Sequence, residues 1–90
     1  MSEEQTTFTF HSDPSHGWLE VDWTDLKRLG LNPTDFSRYS YRNGNTFYLE
    51  EDCDAPKFIA AYETKHGRNS FRFEEPFEES HFIRNLPKIY

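Results

Sequence analysis

Phenylalanine is the apolar residue on which this chain depends. Nine Phe stand beside only ten Leu, Ile and Val together in 90 residues. That is too little aliphatic material for a leucine-packed helical bundle, whereas aromatic rings suit the pleated, half-buried surface of a strand. Each buried ring removes about 150–250 Å² from water. About ten such rings, at about 25 cal/mol per Å² of apolar area, can hold a chain this short. Their spacing agrees with strands. Thr6-Thr7-Phe8-Thr9-Phe10 and Ser70-Phe71-Arg72-Phe73 alternate polar and apolar residues, the period of a half-buried strand. Aromatics make up 18% of the chain despite a mean hydropathy of −0.95, and disordered chains are poor in aromatics.

Ninety residues support one core, so residues 1–5 read as a flexible tail and 6–90 as a single domain. His11-Ser12-Asp13-Pro14-Ser15-His16-Gly17 is a cluster of turn formers. Trp18-Leu19-Glu20-Val21 follows as a second strand, antiparallel to the first. Asp22 is an N-cap with Asp25 in capping-box position, starting a short helix over Trp23–Leu29 that stops at Gly30. Asn32-Pro33-Thr34-Asp35 starts a second helical piece of about one turn. Arg38–Arg42 and Asn45–Glu50 read as strands joined at Asn43-Gly44, a hairpin signal. That loop would set Tyr41 opposite Thr46, Tyr39 opposite Tyr48 and Ser40 opposite Phe47. Ala55, Phe58, Ile59 and Tyr62 recur with helical period, so an amphipathic helix runs from about 55 to 66 and stops at Gly67. Phe71 and Phe73 belong to a further strand, Glu74–Glu79 to an acidic loop and His81–Ile83 to a last short strand. An ordered or semi-ordered tail begins at Leu86-Pro87. The fold class is therefore α+β: an antiparallel sheet of four to five strands, one main helix and one or two short ones.

Ten bases stand against sixteen acids, a net charge of −6. A protein that wraps nucleic acid needs a cationic surface to displace phosphate counterions, so direct nucleic-acid binding is not expected. The one Cys cannot form an intramolecular disulfide, which argues against a stapled secreted fold. No apolar run nears the roughly 20 residues that span a bilayer, and the acidic Met1–Gln5 lacks a signal peptide's basic start. A cytoplasmic location is expected. The four Gly sit at turns and helix ends with no phosphate-binding loop among them, so no cofactor is expected.

Catalytic chemistry finds little support. His11, Asp13 and His16 could hold a metal ion, but their spacing matches no recognised ligand pattern, and hydrogen bonding of His11 and Asp13 within the turn is the better reading. His66 suits the end of a helix, where a cation is favoured, and His81 can pair with Glu79. Cys53 lies among carboxylates that disfavour its thiolate. The acids are the more informative feature. The windows 49–54 and 74–79 each hold four acids and no base. Consecutive acids alternate between strand faces, which suits a solvated rim or a protein-binding surface better than a metal site.

Three segments carry a resemblance: His16-Gly17-Trp18-Leu19-Glu20-Val21, Tyr39-Ser40-Tyr41 and Tyr48-Leu49-Glu50-Glu51-Asp52-Cys53-Asp54-Ala55. Together they resemble a group of small bacterial, phage and plasmid proteins of unassigned activity, over roughly residues 11–62. The resemblance implies a mobile-element or bacterial cytoplasmic setting, in which short acidic proteins act as inhibitors of host machinery, including anti-defence factors. The sequence thus predicts a non-enzymatic protein-binding module that docks on a basic, nucleic-acid-handling surface of a host or phage protein. The residues expected to carry it are Glu50, Glu51, Asp52, Glu74, Glu75, Glu78 and Glu79, with Tyr48 and Phe77 as apolar anchors. The alternative is a metal-binding or metal-dependent protein using His11, Asp13 and His16 or the acid run 50–54. A homodimer paired through strand edges is a third reading.

Overall fold

Five short strands form one sheet in the order β3-β4-β2-β1-β5 in a computed structural model of the chain. The structure describes residues 6–12, 16–68, 70–75, 83 and 85–89. The Thr/Phe alternation produces β1 (Thr6–Ser12), and β2 (Gly17–Asp22) lies antiparallel to it with Phe10 opposite Leu19. β2 pairs antiparallel with β4 (Thr46–Glu50), setting Leu19 opposite Leu49 and Val21 opposite Phe47. Directly opposed residues share a face of the sheet. The register therefore gathers Phe8, Phe10, Leu19, Val21, Phe47 and Leu49 on one side.

Helix α2 (Ala55–His66) covers that side. Ala55 and Phe58 are buried, and Ile59 and Tyr62 pack on the same cluster. The rings meet edge to face, with the Phe8 centroid 5.4 Å from those of both Phe58 and Tyr62, the arrangement aromatic quadrupoles favour. Helix α1 (Trp23–Arg28) adds buried Leu26. Its start is held as the capping-box spacing predicts, Asp22 N–H donating to Asp25 Oδ2 at 2.9 Å. The same device recurs at the 3₁₀ turn Pro33–Asp35, where Asn32 N–H donates to Asp35 Oδ2 at 2.8 Å. Two lysines tie the helical layer together: Lys65 Nζ donates to the Arg28 carbonyl and Lys57 Nζ to the Asp35 carbonyl, each at 2.6 Å.

Three local expectations are corrected. β5 (Phe71–Glu74) joins the sheet parallel to β1, so the sheet is mixed and not wholly antiparallel. The helix-length crossover through α2 returns the chain in the direction of β4, which a parallel pairing requires. β3 covers only Tyr41–Asn43, and the hairpin turns at Gly44-Asn45 with Asn43 opposite Thr46 and Tyr41 opposite Tyr48. That register lies two residues from the expected one. Side chains alternate with period 2, so a two-residue shift changes partners and leaves each residue on its face. The C-terminal segment is part of the body. Ile89 is fully buried in the main core and its N–H donates to the Ser40 carbonyl at 3.0 Å. Ile83 is fully buried against Trp18 and Tyr48 on the opposite face of the sheet. The expected tail 1–5, the residues Asp13-Pro14-Ser15 and the start of the His81–Ile83 strand lie outside the described residues. No described helix is long and apolar enough to cross a membrane.

A candidate docking surface at one end of the sheet

Asp54 organises this end of the molecule. Its carboxylate is buried and accepts from Ser37 N–H at 2.9 Å, Ser37 Oγ–H at 2.8 Å and the Ser40 hydroxyl. Ser40 is fully buried, and its Oγ accepts from Glu50 N–H at 2.9 Å. Four hydrogen bonds thus hold Ser37 and Ser40 against the end of β4 and the start of α2. The sequence reads Asp54 as the cap of its own helix. Its carbonyl does accept from Lys57 and Phe58 N–H, but its side chain serves the neighbouring loop.

Glu50 performs a similar task one turn earlier. It is 7% exposed, and its Oε1 accepts from Asp52 N–H at 3.1 Å and Cys53 N–H at 2.8 Å. The carboxylate therefore shapes the turn that presents Glu51 and Asp52, both exposed. Glu51 N–H donates to the Gly17 carbonyl at 3.0 Å, fastening that turn to the start of β2. A side chain at Gly17 would require Phe10 and Glu51 to shift. A Cβ there would lie 2.6 Å from Phe10 Cζ and 2.9 Å from Glu51 Oε1.

Tyr48 is 6% exposed beneath Ile83. Glu50 and Tyr48 are thus buried where the sequence leads us to expect exposed contact residues. Glu51, Asp52, Glu74 and Glu75 are exposed. Phe77, Glu78 and Glu79 lie outside the described residues.

The topology gives the two acidic windows a relation that their separation in sequence hides. β4, β1 and β5 run in one direction and β2 in the other. The C-terminal ends of β4 and β5 therefore point to the same end of the sheet. Trp18 is opposite both Glu50 and His11, and Glu74 is opposite Thr9, two residues short of His11. Three strand spacings of about 4.8 Å and two residue rises of about 3.3 Å put Glu50 and Glu74 about 16 Å apart along the sheet. One partner surface can span that distance.

Beside Asp52 the same end carries a groove of about 300 Å³ lined by His16, Trp18, Tyr39, Tyr41, Asp52 and Lys88, with Glu50 and Cys53. The His16 and Trp18 rings are stacked, centroids 6.0 Å apart, and Tyr41 stands edge-on to Trp18 at 6.4 Å. Tyr39 keeps 65% of its surface exposed. All three segments that carry the sequence resemblance meet here. Sequence reading missed the groove because no local signal shows that the Tyr39–Tyr41 loop and Lys88 reach the same place; the shared motif segments were the only hint.

The metal and nucleophile candidates are held otherwise. His11 is buried, its Nε2 2.7 Å from Glu20 Oε1, while His16 stacks on Trp18 and Asp13 lies outside the described residues. Among the described residues no group of three or more His, Cys, Asp or Glu could hold a metal ion. The exposed Cys53 thiol has its pKa raised by desolvation, then by a hydrogen bond to Glu50 and the charges of Glu50, Asp54 and Asp52. Thiolate is the nucleophilic form, so this environment suppresses reactivity.

No family model matches the chain, nor does any curated protein or any solved structure.

Proposed function

We propose that this protein works in the cytoplasm as a non-enzymatic binding module whose acidic sheet end docks on a basic, nucleic-acid-handling surface of another protein. The observation that carries the reading is the shared direction of β4 and β5, from whose ends Glu51, Asp52, Glu74 and Glu75 project exposed. A carboxylate patch of that extent complements a surface shaped for phosphates, and complementary patches accelerate encounter and select partners. The raised pKa of Cys53 disfavours its thiol as a nucleophile, and His11 is engaged with Glu20. The resemblance to phage and plasmid proteins favours an inhibitor of the anti-defence type.

Affinity capture from a bacterial lysate tests the reading. The wild type is expected to retain a basic protein in stoichiometric amount at about 50 mM salt and to release it at about 500 mM, where screening is several-fold shorter in range. The variant Glu51→Lys/Asp52→Lys/Glu74→Lys/Glu75→Lys, with an unchanged circular dichroism spectrum, is expected to retain none. Capture by that variant at low salt would contradict the reading. Glu50 is left intact in the design, because its buried carboxylate holds the turn 51–54.

A further inference from the structure

The aromatic groove already has a cation on one of its rings. Lys88 Nζ lies 4.3 Å from the Tyr41 ring centroid and 3.2 Å from the Tyr41 hydroxyl oxygen. Aromatic faces attract cations through the ring quadrupole. The backbone beneath Lys88 is fixed by the buried side chain of Ile89 and by Arg42 N–H donating to the Pro87 carbonyl at 3.0 Å. The lysine, by contrast, is exposed. Tyr39 supplies a second, largely exposed ring, and Asp52 an exposed carboxylate in the same groove. Rings and an acid together match one side chain above others. A guanidinium is planar, stacks on aromatic faces and offers a fork of N–H donors to a carboxylate.

We infer that this groove seats a single arginine side chain of the protein partner, held by Tyr39, Tyr41 and Asp52, and that Lys88 is the built-in occupant it displaces from Tyr41. The inference rests on the acidic docking surface proposed above and adds its anchor. Charge complementarity commits the groove to a cation, since Glu50 and Asp52 are among its lining residues. Arginine and tyrosine are also the residues most often found at the energetic centre of interfaces.

The test uses a blocked glycine peptide with one central arginine, and the same peptide with citrulline, which keeps the shape and loses the charge. Binding to the full chain is followed by the NMR signals of the Trp18 indole and the backbone amides of Tyr39, Tyr41 and Asp52. The arginine peptide is expected to shift these signals and to bind about tenfold more tightly than the citrulline peptide. Tyr39→Ala, at an exposed position, is expected to weaken binding about fivefold through loss of the ring face. Lys88→Met is expected to tighten it about threefold by removing the competing cation. Equal binding of the citrulline peptide would overturn the inference. So would weaker binding by Lys88→Met, or arginine-induced shifts at Glu74 and Glu75 as large as those in the groove. The pair Glu74→Lys/Glu75→Lys separates this inference from the one beneath it, because it lies outside the groove. If that pair weakens partner capture while the arginine peptide leaves the groove signals unmoved, the groove assignment alone fails. If the peptide binds the groove while reversal of all four rim acids leaves capture intact, the docking surface fails.

Discussion

Asp54 and Glu50 were acids in a run when seen as sequence, and they are structural carboxylates when seen in place. A buried carboxylate stays only where donors meet it, and removing it leaves those donors unsatisfied. Asp54→Ala strands three hydrogen bonds, from Ser37 N–H, Ser37 Oγ–H and Ser40 Oγ–H. Urea unfolding is expected to show a loss of about 2–4 kcal/mol; an unchanged midpoint would refute the role given to this network. Tyr48 carries a pH dependence of definite sign. Burial, and then the Glu20 charge, raises its phenol pKa above the ordinary value of 10.0. The folded state thus favours the neutral form. Stability from this group is complete below pH 10.0, the unfolded value, and is lost as pH rises through the higher native value. Tyr48→Phe is expected to flatten the alkaline fall in thermal midpoint, whatever its cost at neutral pH. The sequence presented Tyr48 as an exposed anchor because the segment that covers its face, around Ile83, lies 35 positions further along the chain and carries no local signal.

Elements with a strong local cause were legible, and those fixed by tertiary partners were not. The α2 helix follows from the spacing of Ala55, Phe58, Ile59 and Tyr62 with Gly67 as its stop, and its observed range is Ala55–His66. The α1 start follows from Asp22 and Asp25. By contrast, Asn43-Gly44 identified the hairpin and missed its register by two, because the C-terminal segment decides how far β3 extends. Pro87 and Lys88 bond alongside Tyr41 and Arg42, and the Ile89 N–H takes the Ser40 carbonyl, where a longer hairpin would have put strand pairing. Arg42 over the Phe47 ring at 4.7 Å then fills the cross-strand position expected for Ser40. This makes the C-terminal segment a sixth strand in all but length. Ile89→Ala is expected to cost about 2–4 kcal/mol by chemical denaturation, as for other fully buried aliphatic truncations. A cost under about 0.5 kcal/mol, the range of surface substitutions, would mean that the segment is the tail its sequence suggests.

For the molecule as a whole, the useful quantity is where its net charge of −6 is displayed. The composition predicted an acidic surface, and the position of the two acid windows in sequence could not say whether they form one surface or two. In the mixed sheet the parallel return of β5 brings Glu74 and Glu75 to the same end of the sheet as Glu51 and Asp52, which follow β4. The central claim is that these four acids act together. It is tested most directly by the association rate constant with the captured partner, measured at low salt for Glu51→Lys/Asp52→Lys, for Glu74→Lys/Glu75→Lys and for the two combined. Long-range attraction acts on encounter, so each pair is expected to slow association by about tenfold or more, and the combined variant by roughly the product of the two. An association rate unchanged by either pair alone would show that the two segments do not form one docking surface.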